Sequence, residues 1–176
     1  MHRRCWPGSG SASARASAPG TGGDIRDDDG VVLSFDELLE VVLPHAIGVN
    51  SDLHGLEHWR RVHDVGLELA AQTPEADPEV VAAFAVFHDA LRVSDGVDVG
   101  HGARGARLAN SLVTWLDRDQ LRKLQLACST HTDGGVSVDP TIGCCYDADR
   151  LDLPRCGITV DEGFLSTEAA RRRLSD

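Results

Sequence analysis

The sequence predicts an all-α protein, organised as a single-domain bundle of about six to seven helices. From residue 31 onward, apolar residues recur three and four positions apart in one segment after another, as they do along the buried face of a helix. No segment shows the sustained alternation of apolar and polar residues that is typical of strands. The chain of 176 residues is long enough for one domain with a sizeable core.

Residues 1–30 differ in composition from the rest of the chain. They consist mostly of Gly, Ser, Ala, Pro, Arg and Asp. Such a segment cannot bury enough apolar surface to offset the entropy that it would lose on ordering. We therefore expect a disordered N-terminal segment over residues 1–30 and one globular helical domain over residues 31–176.

The first three helices are indicated by their N-terminal residues and apolar faces. Ser34 and Glu37 have the spacing of a capping box and precede an apolar run. A second, amphipathic helix is predicted over about residues 54–72. A third helix begins at Asp77–Pro78, since Asp caps helices and Pro suits the first turn, and continues to about residue 91.

The second half of the chain continues in the same way after a loop at residues 92–100. Asp117 and Gln120 form another capping-box pattern. Pro140 marks the start of a later helix, again directly after an Asp. We expect the remaining helices at about residues 101–115, 118–131, 140–151 and 166–173.

Charge and hydropathy exclude several classes of partner. Residues 1–30 carry as many basic as acidic side chains, so the whole formal net charge of −11 lies in residues 31–176. Such a surface repels nucleic acid polymers. The longest apolar run, Val80–Phe87, is far shorter than the ~20 residues that a membrane-spanning helix needs. The five cysteines lack a disulfide-framework spacing, which favours a cytoplasmic location.

Three short motifs carry the residues that are most suited to chemistry. His88–Asp89 directly follows the apolar run of the third helix, so two polar side chains emerge from a segment that is otherwise core. His58 lies on the polar edge of the second helix. The sixth helix contains three carboxylates, of which Asp149 and Asp152 lie three residues apart on one face while Asp147 points elsewhere.

Together these motifs resemble the HD-domain superfamily of metal-dependent phosphohydrolases, whose pattern is a His, then His-Asp, then a distant Asp. The resemblance covers about residues 50–158. It includes the His-x-x-Arg-Val form of the first motif, which begins at His58, and the Asp-Ala-Asp-Arg-Leu-Asp form of the last, residues 147–152. The likeness is greatest to small stand-alone bacterial HD proteins, some of which hydrolyse nucleotides.

The resemblance implies a metal site whose ligands are His58, His88, Asp89 and Asp149. Two imidazoles and two carboxylates suit a divalent transition metal (Mn, Fe, Co, Ni or Zn) better than Ca or Mg. The four residues come from three helices, and a helical bundle can place such side chains around one ion. We expect one ion, and two are possible.

The second ion depends on His101 and His131. They lie between the His-Asp pair and the last Asp, where superfamily members with two metals have two extra histidines. Without a metal role, the first would be a residue at a helix start and the second a cation at a helix C-terminus. In either case both could line the cleft and transfer protons. We expect His101, His131 and Asp152 to be the catalytic proton-transfer residues.

Three arginines indicate the substrate class. Arg61 and Arg92 follow His58 and His88 at helical spacing, and Arg150 directly follows the last ligand. Arginines around a metal in an otherwise acidic domain suggest recognition of a small phosphorylated molecule. The alternative is that Arg61 and Arg150 only pair with nearby carboxylates.

The resulting hypothesis is a metal-dependent phosphohydrolase that acts on a small phosphate-bearing molecule, with a nucleotide as the implied class, by attack of a metal-bound hydroxide. Two alternatives stay open. One is an HD-type oxygenase with a di-iron centre, and the other is a non-catalytic nucleotide-binding domain. A homodimer is a possible assembly. The oxygenase would use six ligands, His58, His88, Asp89, His101, His131 and Asp149.

The other histidines and a cysteine pair have simpler interpretations. His54 either starts the second helix or contacts metal or substrate, and the first role is favoured. His45 and His63 are expected to be structural. Cys144–Cys145 lacks the spacing of a zinc site and is expected to pack in the core.

Overall fold

The computed structural model describes residues 32–175, and the expectation of disorder for residues 1–30 lies outside them. The described part contains seven α-helices, two short 3-10 helices and no strand, so the all-α prediction is confirmed. The 3-10 helices are Leu153–Cys156 and Glu162–Phe164. The α-helices are α1 (Phe35–Val42), α2 (Leu56–Gln72), α3 (Pro78–Phe87), α4 (His101–Leu112), α5 (Arg118–Thr130), α6 (Pro140–Leu151) and α7 (Glu168–Ser175).

The core is built around α3. Every residue of Val80–Phe87 is buried, because this helix contacts α1, α2, α4, α5 and α6. A helix that is apolar on all sides can only be accommodated by such a central position. The residues that directly follow α3 therefore lie in the middle of the bundle.

Helix α3 ends at Phe87, earlier than the predicted residue 91. His88 is its C-cap, and the chain then turns, with the Arg92 amide donating to the Asp89 carbonyl at 3.0 Å. The Ala90 carbonyl accepts from the Ile47 amide at 2.9 Å, which ties the turn to the α1–α2 connection. The turn changes the direction of the backbone between the two polar residues of the His-Asp motif.

The predicted capping interactions are present. Ser34 and Glu37 form the capping box of α1, and Asp117 and Gln120 form that of α5. The side chain of Asp139 accepts from two amides at the start of α6, which begins with a proline and spans the predicted residues. These bonds satisfy helix-end amides that would otherwise lack partners.

Helix α4 lies unusually close to its neighbours because of two glycines. A Cβ at Gly105 would meet the Phe87 carbonyl oxygen at 2.2 Å, and a Cβ at Gly102 would meet the Cys128 carbonyl oxygen at 2.2 Å. Only glycine permits this approach of backbones at the ends of α3 and α5. It brings the first residue of α4, His101, to the end of α3.

The remaining differences from the predicted elements are at helix ends. Helices α2 and α7 begin two residues later than expected, and α4 ends three residues earlier. Neither 3-10 helix was predicted. Among the helices of residues 32–175, none has both the length and the apolar character needed to cross a membrane.

Candidate metal centre

Four side chains from three parts of the chain meet in the middle of the bundle. His58 projects from α2, His88 and Asp89 follow α3, and Asp149 projects from α6. The two imidazole Nε2 atoms lie 3.1 Å apart. An Asp149 oxygen lies 3.3 Å from the Nε2 of His58, and an Asp89 oxygen lies 3.6 Å from that of His88. The structure thus brings together the four residues that the sequence predicts as metal ligands.

A second group adjoins the first and shares Asp89 with it. The Nε2 atoms of His101 and His131 are 3.1 Å apart. Oδ1 of Asp89 lies 3.2 Å from the Nε2 of His101, whereas Oδ2 faces the first group. Asp89 therefore lies between two sets of potential metal ligands. The first group is His58, His88, Asp89 and Asp149, and the second group is Asp89, His101 and His131.

The Nδ1 atom of each of the four histidines contacts a hydrogen-bond acceptor. His58 Nδ1 lies 2.7 Å from an Asp152 oxygen. His88 Nδ1 lies 3.1 Å from the Phe84 carbonyl oxygen. For His101 and His131 the acceptor is the carbonyl oxygen of the residue three positions earlier. Because a backbone carbonyl oxygen can only accept, these contacts place the proton of His88, His101 and His131 on Nδ1 and the lone pair on Nε2. Burial acts to raise the pKa of Asp152, but its hydrogen bonds and the neighbouring charges outweigh burial and lower that pKa. Its ionised carboxylate therefore likewise accepts from Nδ1 of His58.

The consequence is that Nε2 lone pairs face each other in both groups. Two nitrogen lone pairs at about 3 Å repel unless a positive charge lies between them. Backbone or carboxylate acceptors on the other ring nitrogen are also the usual way in which proteins orient metal-binding histidines. The donor set therefore fits a divalent transition metal, with His58, His88, Asp89 and Asp149 able to hold it.

The electrostatics of the first group also favour a cation. Burial lowers the pKa of His88 to about 4, so this imidazole is neutral at neutral pH. Burial acts to lower the pKa of His58 as well, but its bonds to Asp149 and Asp152 outweigh burial and raise that pKa above its usual value. Burial acts to raise the pKa values of Asp89 and Asp149, yet the nearby imidazoles hold both below their usual range. Both carboxylates are thus ionised.

Asp152 lies behind His58 rather than at the centre. One of its oxygens accepts from His58 Nδ1, and the other accepts from Nε of Arg61 at 2.7 Å. Nε of Arg155 lies 3.0 Å from the same carboxylate. Both oxygens are therefore engaged on the far side of the ring, where Asp152 orients His58, and its expected role as a proton carrier stays a prediction. Arg155 was missed, since it lies outside every recognised motif.

The three predicted substrate arginines have different surroundings. Arg92 contacts the second group, with Nη1 3.0 Å from His101 Nε2 and 3.4 Å from Asp89 Oδ1. Arg61 pairs with Asp152, although almost half of its side chain is exposed. Arg150 is buried, donates to the Phe164 carbonyl and lies over the Tyr146 ring. None of the contacts that Arg150 makes among residues 32–175 is to either group.

His54 is closer to the centre than the sequence suggested. Its Nδ1 lies 3.0 Å from Oδ2 of Asp89, and 18% of its side chain is exposed, against 1% for His58 and His88. It does not belong to α2, which begins two residues later. His54 and Arg92 also line a cavity of about 200 Å³, so the cavity adjoins the centre.

Other polar residues of these segments have structural roles. Asp147 accepts from the Ser166 and Thr167 amides at 2.7 Å, so it does point away from Asp149, as expected. Its burial outweighs these bonds and raises its pKa. His63 packs against the Phe35 ring. The cysteine pair at 144–145 is fully buried, in agreement with core packing.

No known family model matches the chain, and no curated protein matches it. A solved structure does match, that of a predicted HD superfamily hydrolase from an uncultured Thermotogales bacterium, with a TM-score of 0.64 and 25% sequence identity. The alignment covers 80% of this chain and 83% of the other.

Proposed function

On the premise that this chain has the HD-domain fold, we propose that it is a metal-dependent phosphohydrolase acting on a small phosphorylated molecule. The observation that carries the proposal is the convergence of Nε2 lone pairs and ionised carboxylates on one point, with every Nδ1 already engaged. The similar HD superfamily hydrolase supports hydrolysis as the reaction class.

The proposed ligands are His58, His88, Asp89 and Asp149. A divalent transition metal bound there would supply a Lewis acid for a phosphoryl group and lower the pKa of water. The protein holds the two imidazoles in the required orientation through Asp152 and the carbonyl of Phe84. Both rings are also buried, so their orientation is fixed by packing as well as by these contacts.

Substrate would enter from the side of the cavity that His54 and Arg92 line. Arg92 is charged at all physiological pH values and can bind phosphate oxygens. The cavity also includes Ile47 and Val93, which offer apolar contact to the remainder of the molecule. A phosphate ester with an apolar or aromatic part fits this lining, and nucleotides are the class that we propose to test first.

Proton transfer to the leaving group requires an imidazole near the cavity. We assign this role to the pair His101 and His131, as the sequence suggested, with their facing Nε2 atoms as the positions that would exchange the proton. Both rings are buried, and their Nδ1 atoms are held by backbone carbonyls. Of the nearby imidazoles, that of His54 is the more exposed and could relay protons to solvent.

The test is elemental analysis of the purified protein, followed by a nucleotide phosphatase panel with the metal found. Asp89→Asn should remove the metal and reduce phosphate release at least about a hundredfold, because this residue contacts both groups. Asp119→Asn, on the exposed face of α5, is the matched control and should retain both the metal and the phosphate release. Undiminished phosphate release by Asp89→Asn would contradict the proposal.

One observation favours a second candidate, the di-iron oxygenase. Asp89 directs one oxygen to each group, so the six side chains could hold two ions around a shared carboxylate. In that case the protein should contain two irons per chain, absorb visible light and consume oxygen with an organic substrate. A single ion with phosphate release supports the hydrolase instead.

A further inference from the structure

The two groups differ in charge although they share Asp89. The first group has two imidazoles and two carboxylates, because Asp149 contacts only that side. The second group has the imidazoles of His101 and His131 and no carboxylate of its own. A divalent ion in the second group would thus face one carboxylate, whereas an ion in the first group would face two.

Arg92 adds a positive charge to the second group. Its Nη1 lies 3.0 Å from His101 Nε2, 3.3 Å from His101 Nδ1 and 3.4 Å from Asp89 Oδ1. Through His101 Nε2 and Asp89 Oδ1 the second group would hold an ion on that side. The guanidinium therefore places a positive charge directly beside the atoms that a second ion would need.

The loop after α3 fixes this guanidinium in place. Arg92 Nε donates to the Ser94 carbonyl at 3.0 Å, and Nη2 donates to the Gly96 carbonyl at 3.1 Å. With those two nitrogens bound to backbone, Nη1 is directed toward the centre, and 13% of the side chain is exposed. Since arginine does not lose its proton in proteins, the charge stays there at any pH that the fold tolerates.

We propose that Arg92 takes the place of a second metal ion, so that the native protein binds one divalent ion, in the first group, and gains a second when the Arg92 charge is removed. This inference rests on the proposed function, which requires the first ion. The physical reason is that two cations a few ångströms apart in a buried site repel strongly, while the single shared carboxylate cannot neutralise both.

Manganese titration provides the test, because it reports stoichiometry without any enzyme assay. The native protein should bind one Mn²⁺ per chain and give the electron paramagnetic resonance spectrum of an isolated ion. Arg92→Gln should bind two, and the spectrum should show coupling between them. The second ion should bind to Arg92→Gln at least about tenfold more tightly than to the native protein, an effect of about 1.4 kcal/mol.

Three further variants serve as controls. Arg92→Lys keeps a positive charge at this position and should stay at one ion. Arg122→Gln removes an exposed arginine from α5 and should also stay at one. The double variant Arg92→Gln, His131→Ala should return to one ion, because it removes a ligand of the second group alone. Circular dichroism of each variant checks that the helices are retained.

The possible failures are distinguishable. Two coupled ions in the native protein, or one ion in a folded Arg92→Gln variant, would overturn the role of Arg92 and leave the hydrolase proposal standing. No bound ion in the native protein would overturn the proposed function and this inference with it.

Discussion

Asp152 illustrates how one residue can orient an imidazole of the proposed metal centre without lying in that centre. Its Oδ2 atom lies 2.7 Å from Nδ1 of His58, and the side chains of Arg61 and Arg155 contact the same carboxylate. The chain of contacts orients the imidazole and increases the electron density on its Nε2. An asparagine in place of Asp152 would keep the shape of the side chain but would lose the negative charge that faces His58.

We therefore expect Asp152→Asn to weaken metal binding by about tenfold to a hundredfold, the usual cost of losing such a partner. The variant should retain the native helical content. Mn²⁺ titration measures the affinity, and Asp36→Asn, on the exposed face of α1, is the control that should bind as the native protein does. An unchanged affinity in Asp152→Asn would mean that the carboxylate has no influence on the site.

Sequence reasoning found the four proposed ligands because their order along the chain is specific, but it could not orient them. His88 and His131 are both the C-caps of their helices, where a ring can reach a carbonyl three or four residues earlier. This local contact places the lone pair on Nε2. The position of a histidine directly after an apolar or amphipathic helix could have indicated this orientation of the ring.

Among the arginines, sequence spacing could not show which side chains approach the centre. Arg150 adjoins the Asp149 ligand but projects toward Tyr146 and the Phe164 carbonyl, whereas Arg155, in a 3-10 helix, reaches Asp152. Neighbouring positions on a helix differ by about 100° in direction. Which of them faces the site depends on how the segment after α6 folds, and no periodic pattern predicted that segment.

At the scale of helices, α4 depends on the glycines of its packing face. Gly102 and Gly105 allow contact with the carbonyls that end α5 and α3. The sequence predicted this helix, but glycine is a poor helix former and its presence there gave no information on the neighbouring helices. The close approach became evident only from the three-dimensional arrangement.

Gly105→Ala should destabilise the protein, because the new Cβ would lie 2.2 Å from the Phe87 carbonyl oxygen. We expect a net loss of about 2 kcal/mol in the free energy of unfolding, although alanine is favoured over glycine in a helix by about 1 kcal/mol. Urea unfolding measures the change. Gly135→Ala, in a loop with nothing within 4 Å, is the control and should change stability by less than about 0.5 kcal/mol.

For the molecule as a whole, the centre places like charges and facing lone pairs inside the bundle. Asp89 and Asp149 are ionised and both lie near His58 and His88, and five imidazoles in all surround the two carboxylates. Such a group opposes folding unless a cation compensates it. The bound ion should therefore contribute to the stability of the fold as well as to chemistry.

Removal of metal should accordingly lower the midpoint of thermal unfolding. At an ion concentration of about 100 times its dissociation constant, binding to the folded state alone adds about 2.7 kcal/mol. Calorimetry with Mn²⁺ and then with excess chelator measures the difference. Asp89→Asn should show no such difference, and an equal midpoint for the native protein in both conditions would contradict the prediction.

The contact of α4 with two backbone carbonyls has a consequence for evolution of the centre. Because main-chain contacts hold α4 against the ends of α3 and α5, the backbone of His101 has a fixed position beside Asp89. If Arg92 sets the number of ions as we propose, substitutions in the loop at residues 92–100 would change that number while the scaffold is preserved. A lineage could in this way exchange one reaction for another without redesigning its core.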